Sequence, residues 1–161
     1  MIIQGKGNQS ILNNKFYKDP TEVYVNNIKN ESCKKSCELP SNSNNITLIF
    51  NEPIYSCKNM FNGLSNIKYI DFSNFDFSLV TNMSYMFNDC YNLEKINFGK
   101  INTTSVMDMR YLFMNCKKLS SIDLSYFDTC SVINMTSVFG HCETLKSIDA
   151  SSFNTSKVKM M

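Results

Sequence analysis

The sequence predicts an α/β solenoid with short parallel strands on one face, short helical segments on the other and a β-rich N-terminal cap. Three observations support this prediction. Apolar residues recur every 26 positions over the last two thirds of the chain. Within each repeat their spacing changes from that of a strand to that of a helix. The first 45 residues lack this period, as expected of the atypical end of a repeat array.

The repeat consists of columns of matching residues that align without a gap. Phenylalanine, isoleucine and valine each fill one column in four successive copies. The columns are Phe61, Phe87, Phe113 and Phe139; Ile70, Ile96, Ile122 and Ile148; and Val80, Val106, Val132 and Val158. One such unit is too small to bury its own apolar face, so stacked units are expected to share a continuous core.

Each repeat combines two local patterns. In "LSSIDLS" (residues 119–125) apolar and polar residues alternate locally, which predicts a short strand. In "SVINMTSVFGHC" (residues 131–142) the apolar residues follow the i, i+3, i+7 spacing of a helix face. A strand with a helical return in 26 residues has the length of a leucine-rich repeat.

The chain is predicted to divide into a β-rich cap, residues 1–45, and a solenoid of about four repeats, residues 46–161. In the cap, "SILNNKF" and "EVYVNNI" have β-like content and are separated by the turn-forming "KDP". "ITLIFNEPIYS" (residues 46–56) fits the second half of a repeat and marks an incomplete first coil. The final "SKVKMM" stops within a predicted helix. We therefore expect a fragment of a longer array, whose uncapped C-terminal edge favours self-association.

The repeat resembles that of BspA-like leucine-rich-repeat surface proteins. Over roughly residues 54–161 it is similar to their pattern, Leu-x-x-Leu-Asp-Leu-Ser-x-Phe-Asp-Thr-Ser followed by Val-x-x-Met-x-x-Met-Phe-x-x-Cys. Ordinary leucine-rich repeats have Asn or Cys at a position that this chain fills with Phe75, Ile101, Phe127 and Phe153. The resemblance implies a curved right-handed stack, a cell-surface or secreted location, and a role in adhesion or recognition. No signal peptide is apparent at the start of the chain.

Composition argues against several classes of partner and chemistry. The net charge of +2 is too small to indicate a nucleic-acid partner. No apolar run approaches the roughly 18 residues that a membrane-spanning helix needs. The sequence contains no glycine-rich phosphate loop and no recognisable catalytic or metal-ligand set. We therefore predict a non-catalytic protein that needs neither cofactor nor metal and does not insert directly into a membrane.

This fold predicts a recognition or adhesion module that binds a protein or glycan through the outward positions of its strands. The candidate face comprises Tyr69, Asp71, Ser73, Lys95, Asn97, Ser121, Asp123, Ser125, Ser147, Asp149 and Ser151. Two alternatives remain open. The chain is a fragment without independent function, or it is a cysteine-dependent enzyme with Cys33 or Cys37 as nucleophile. The only histidine, His141, lies about three coils from either thiol.

Two polar columns accompany the repeats. The first, on the predicted strands, is Asp71, Asn97, Asp123 and Asp149. Stacked carboxylates repel one another, and solvation and hydrogen bonding are favoured over a bound cation because Asn97 interrupts the row. The second column is Asp76, Asn102, Asp128 and Asn154. Its members are predicted to be structural, with side chains that close a turn or mark the entry of a helix.

The seven cysteines fall into three groups. Four lie in apolar columns and are predicted to be buried thiols: Cys57, Cys90, Cys116 and Cys142. Cys130 aligns with Ser and Thr in other repeats and is predicted near the surface. Cys33 and Cys37, in "ESCKKSCE", could pair in an oxidising compartment, and the sequence leaves this open.

Overall fold

The computed structural model describes all 161 residues and shows an all-β fold without a helix. The strands are β1 (Ile2–Gln4), β2 (Gly7–Ser10), β3 (Glu22–Val25), β4 (Ile28–Lys29), β5 (Ser36–Leu39), β6 (Ser43–Ile49), β7 (Ile67–Asp71) and β8 (Lys95–Asn97). Only β7 and β8 lie wholly within the repeat region, which after β6 otherwise consists of turns, isolated bridges and irregular segments. The predicted domain boundary after residue 45 falls inside β6.

Six strands form one mixed sheet in the order β4-β3-β6-β1-β7-β8, and β2 pairs with β5 separately. β1 lies antiparallel between β6 and β7, so it joins the N-terminal strands to the first repeat. β7 and β8 are parallel. The predicted α/β solenoid is therefore wrong. Helical segments are absent, and the sheet is mixed and confined to one end of the molecule rather than running along every repeat. "LSSIDLS" (residues 119–125) forms no strand.

The segments predicted to be helical are runs of consecutive turns. In residues 83–90 every second N–H donates to the carbonyl three residues earlier, which closes three overlapping turns. Tyr85 and Asp89 both have φ of 59°, in the left-handed region that interrupts a right-handed helix. The same pair of positions recurs as Tyr111 and Asn115 and as Ser137 and His141. Tandem turns also return to one face after three or four residues, so they reproduce the apolar spacing of a helix.

The remaining N–H groups of these turns join neighbouring repeats. Phe61 N–H donates to the Met86 carbonyl at 2.9 Å, and Phe87 N–H donates to the Leu112 carbonyl at 3.0 Å. Single parallel bridges also connect, in series, Ser56, Asn82, Asp108, Asn134 and Met160. Residues 26 positions apart in the sequence therefore lie side by side. The 26-residue period of the sequence is the separation along the chain of the residues that these backbone contacts join.

A stack of phenylalanine rings runs through the core. Its centroid separations are 5.8 Å for Phe61–Phe87, 5.4 Å for Phe87–Phe113 and 5.5 Å for Phe113–Phe139. The isoleucine column is buried at its first two positions only. Ile122 is half-buried, against the burial predicted for it, and Ile148 is 36% exposed. Burial of the columns therefore weakens towards the C-terminal repeat.

The N-terminal strands contain two local features that fix their geometry. "EVYVNNI" forms the hairpin of β3 and β4, and Asn26 and Asn27 have φ of 51° and 67° at its tip. Two successive positive φ values are what a type I′ hairpin turn requires. A disulfide joins Cys33 to Cys37, and both residues are buried. This settles the pairing that the sequence leaves open.

Buried thiols connect adjacent repeats. Cys90 Sγ donates to the Phe61 carbonyl at 3.1 Å, and Cys116 Sγ donates to the Phe87 carbonyl at 3.2 Å. Burial raises the pKa of both thiols far above its ordinary range, so the reactive thiolate does not form in the folded protein. Cys142 makes the equivalent contact but is only half-buried, which corrects its predicted burial.

We expect iodoacetamide at neutral pH to label Cys130 first in the folded protein, because its side chain is partly exposed. Cys142 should react more slowly, and Cys57, Cys90 and Cys116 only after unfolding in urea. Peptide mapping of timed samples by mass spectrometry measures this order. Labelling of Cys90 as fast as Cys130 in native buffer would contradict the buried arrangement.

Candidate functional site

The structure leaves every candidate residue exposed or half-buried, but it does not place them on one sheet. Tyr69 and Asp71 lie on β7, and Lys95 and Asn97 on β8. Ser73 lies two residues after the last residue of β7. The others lie in turns or irregular segments beyond the sheet: Ser121, Asp123, Ser125, Ser147, Asp149 and Ser151. The strand face is therefore limited to the first two repeats.

Hydrogen bonds gather three of these residues around the carboxylate of a fourth, Asp71. Tyr69 Oη donates to Asp71 Oδ2 at 3.2 Å, and Asn97 Nδ2 donates to Asp71 Oδ1 at 3.1 Å. The backbone N–H of Ser73 donates to the same Oδ1 at 2.9 Å. This N–H holds the pKa of Asp71 below its ordinary value, while partial burial and the Asp71 charge raise the pKa of Tyr69. The cluster keeps a fixed negative charge at the end of β7.

A concave surface begins beside this cluster. A cavity of about 570 Å³ lies between β6 and the first repeat, and Tyr69, Asp71 and Ser73 line one side of it. We call it the cap–repeat groove. Its other lining residues are mostly apolar and include Leu48, Phe50, Phe61, Phe72 and Phe75. The groove therefore brings hydroxyl and carboxylate groups to the edge of an aromatic surface.

A second cavity, of about 460 Å³, continues the groove towards residues 51–54. Thr47, Leu48, Phe50, Asn74 and Phe75 line both cavities. Phe50 and Phe75 are half-buried and make an edge-to-face contact with ring centroids 6.2 Å apart. Both rings line the two cavities and give the groove apolar surface.

Four residues that line both cavities were not predicted as candidate site residues: Leu48, Phe50, Asn74 and Phe75. Phe75 appeared only as a departure from the ordinary repeat pattern, and Phe50 only as part of an incomplete coil. The available signal was an aromatic residue directly after β6, Phe50, and another four residues after β7, Phe75. This signal identifies a shared surface only once β1 is known to pair with both β6 and β7.

The side chains of both polar columns accept hydrogen bonds mainly from the backbone. In the strand-face column, Asp71, Asn97, Asp123 and Asp149 each accept a hydrogen bond from the N–H two residues later. The second column does the same, as predicted, through Asp76, Asn102, Asp128 and Asn154. The hydrogen-bonding role predicted for both columns is confirmed. No group of three or more His, Cys, Asp or Glu side chains is placed to hold a metal ion.

Acid is expected to destabilise the fold through these carboxylates. Hydrogen bonds from Ser73, Ser125 and Ser151 lower the pKa of Asp71, Asp123 and Asp149. A pKa lowered by folding stabilises the native state above the ordinary value of about 4 and loses that contribution as the pH falls through the folded-state pKa. Urea unfolding midpoints should therefore drop between about pH 4 and pH 2.

The matched variant replaces all three carboxylates together, as Asp71→Asn, Asp123→Asn and Asp149→Asn. Asn97 shows that an amide keeps the turn, since its Oδ1 accepts from the Gly99 N–H at 3.1 Å. We expect the triple variant to remain folded at pH 7 and to lose less stability in acid than the original chain. The same drop in both proteins would show that these turns do not control acid stability.

The structure separates the groups that a cysteine-dependent enzyme would need. The sulfurs of Cys33 and Cys37 are bonded to each other, so neither is a free nucleophile while the disulfide is intact. His141 is exposed in the last turn run and makes no side-chain hydrogen bond to a cysteine.

Comparison with known proteins identifies a family without assigning an activity. No curated protein and no solved structure matches the chain. The fold has no helix long and apolar enough to cross a bilayer. A family model described as "Mycoplasma protein of unknown function, DUF285" matches residues 44–161, which begin in β6 and include every repeat. The chain therefore belongs to the DUF285 family.

Proposed function

We propose that this protein is a non-catalytic recognition or adhesion module, which binds a protein or glycan partner at the cap–repeat groove. One observation carries the proposal. Tyr69, Asp71 and Ser73, taken from the sequence as outward-facing binding residues, line a cavity of about 570 Å³. The rest of the predicted face is exposed but lies outside the sheet. The groove is thus where candidate residues and a concave surface coincide.

The chemistry of the groove suits recognition. Ligand sites combine an apolar lining with a few fixed polar groups. Here Phe50 and Phe75 supply aromatic surface, and Asp71 is held in place by the three hydrogen bonds described above. An aromatic surface beside a fixed acceptor can hold either a peptide side chain or the apolar face of a sugar ring.

A surface or secreted location is part of the proposal. A buried disulfide between Cys33 and Cys37 is favoured by an oxidising compartment. The resemblance of the repeats to BspA-like surface proteins supports the same location. Neither observation identifies the partner, so the groove has to be tested with ligand libraries.

The test is a search for ligands with and without a blocked groove. The fluorescent 161-residue chain is screened on a glycan array and against random peptides displayed on phage. Asn74 is exposed and lines both cavities, so Asn74→Trp should obstruct them. Ser121→Trp places the same bulk at an exposed position outside the groove. Circular dichroism and thermal unfolding confirm that both variants fold.

We expect selected ligands to lose at least about tenfold in affinity with Asn74→Trp, equal to about 1.4 kcal/mol, and to bind Ser121→Trp as they bind the original chain. If a ligand binds Asn74→Trp with unchanged affinity but no longer binds Ser121→Trp, its site lies outside the groove, on the outer face. Failure of both libraries to yield any ligand would count against a recognition module.

A further inference from the structure

We propose that the protein has a second binding site, for a single pyranose ring of a glycan, on the face formed by its tandem turns. This site goes beyond the proposed function, because none of its residues lines the cap–repeat groove. Two consecutive repeats form it, and we call it the turn-face notch. Its residues are Tyr111, Met114 and Asn115 from one repeat and Ser137, Gly140 and His141 from the next.

One wall of the notch is the end of a tyrosine stack. Tyr85 and Tyr111 occupy equivalent turn positions, with φ of 59° and 56°, and their rings stack with centroids 4.8 Å apart. Ser137 takes the next position of this column with φ of 49°, and the register is fixed because Tyr111 N–H donates to the Thr136 carbonyl at 2.9 Å. The serine side chain is too short to cover an aromatic ring. The face of Tyr111 that is turned away from Tyr85 therefore has no ring against it.

A neighbouring column loses its side chain in the same repeat. It runs Asn62, Asn88, Met114 and then Gly140. A Cβ at Gly140 would lie 3.4 Å from Ser137 Cβ and 3.6 Å from Met114 Cγ, so a side chain there would fill the space beside both residues. Gly140 does not have a positive φ, so the backbone does not require glycine at this position. The space is left by the small residues at 137 and 140 themselves.

The rim of the notch carries hydrogen-bonding groups. Ser137 and His141 are exposed, so a hydroxyl and an imidazole can bond to a ligand there. Asn115 Nδ2 donates to Asp89 Oδ1 at 2.7 Å, which orients the amide and leaves Asn115 Oδ1 as an acceptor. Asn115 and His141 are equivalent positions, with φ of 61° and 57°, so their side chains project in the same direction. The open ring face therefore adjoins three polar groups.

This combination favours a sugar over other ring-shaped ligands. The face of an aromatic ring carries partial negative charge, which attracts the axial C–H groups of a pyranose, while the hydroxyls around the sugar's edge meet the polar rim. An aromatic side chain can also stack on Tyr111, but its apolar edge would leave the hydroxyl, amide and imidazole groups without partners. None of the six notch residues is Lys, Arg, Asp or Glu, so the ligand needs no charge.

The test is a titration of the full chain, with ¹³C-labelled tyrosine rings, followed by NMR. The probes are the methyl β-glycosides of glucose, galactose and N-acetylglucosamine. D-glucitol has similar hydroxyls but no ring, and 4-methylphenol stands in for an aromatic side chain. The Tyr111 signal is identified by its loss in Tyr111→Phe. We expect at least one glycoside to shift it saturably, with a dissociation constant in the millimolar range because the contact is small.

Two substitutions that fill the notch test its location. Ser137→Leu covers the Tyr111 face without offering a new ring, and Gly140→Met repeats the residue of the preceding repeat in that column. Each should abolish the Tyr111 shift at sugar concentrations that saturate the original chain. Ser121→Leu, at an exposed position elsewhere, and Asn74→Trp, in the groove, should leave the shift unchanged. Thermal unfolding verifies that the variants fold, and either notch variant alone is sufficient for the test.

Three results would overturn the inference: no glycoside shifts Tyr111, D-glucitol or 4-methylphenol shifts it as strongly as the best glycoside, or a folded notch variant binds as the original chain does. Loss of the shift with Asn74→Trp would also reject the notch, because that substitution alters only the groove. Ligands of the groove are recognised by their sensitivity to Asn74→Trp and not to Ser137→Leu. The two proposals therefore fail under different outcomes.

Discussion

Replacing Phe113 by alanine is expected to lower the free energy of unfolding by about 3–5 kcal/mol. The Phe113 side chain has no exposed surface. Its ring is stacked between Phe87, at a centroid distance of 5.4 Å, and Phe139, at 5.5 Å. Truncation removes both contacts and leaves a cavity between two repeats, which the backbone hydrogen bonds on either side prevent from collapsing.

Urea unfolding followed by circular dichroism measures the loss, and two variants control for position. Phe139→Ala should cost less, because Phe139 is half-buried and stacks on Phe113. Ser121→Ala, at an exposed position, should change stability by no more than about 0.5 kcal/mol. If Phe113→Ala and Ser121→Ala had equal effects, the order of the repeats in the core would be wrong.

The second large effect is expected from Thr103→Val, at about 2–4 kcal/mol. Thr103 is fully buried, and its hydroxyl makes two bonds to the backbone of the next repeat. Thr103 Oγ1 donates to the Asp128 carbonyl at 2.8 Å and accepts from the Asp128 N–H at 2.8 Å. Valine keeps the shape of threonine but leaves both Asp128 groups without a partner.

Thr104→Val is the matched control. Thr104 is exposed, and its hydroxyl donates to Asn102 Oδ1, so water can replace this bond. We expect less than about 1 kcal/mol from that change. Hydrogen exchange should also show faster exchange of the Asp128 N–H in Thr103→Val alone. Unchanged exchange at Asp128 would mean that the threonine does not join the repeats.

The repeat and much of its buried surface could be predicted because apolar residues kept the same interval. Phe113, Val106 and Cys90 are buried as their columns predict. The helical segments could not be predicted from that spacing, since tandem turns present apolar residues at similar intervals. A signal was available in Asn59 and Gly63, which lie four residues apart and tolerate positive φ. In the next two repeats Tyr85 and Tyr111 occupy the position of Asn59. Tyrosine rarely adopts positive φ, so these residues do not indicate a left-handed turn.

The candidate site was predictable only in part. Alternation within the first predicted strand was enough to place Tyr69 and Asp71 outward. The opposite wall of the groove comes from Leu48 and Phe50, about 20 residues earlier in the chain. These two walls meet because β1 pairs with both β6 and β7. No local pattern in the sequence records that pairing.

The central position of β1 also imposes an order on folding. β1 is the first strand to be synthesised, yet its neighbours in the sheet end at Ile49 and Asp71. A nascent chain cannot complete this sheet until residue 71 has left the ribosome, and closing so long a loop carries an entropic cost. The later repeats contact each other at a constant interval of 26 residues, so each can be added as it emerges. Closure of β1 between β6 and β7 should therefore limit the folding rate, while the number of repeats should affect it little.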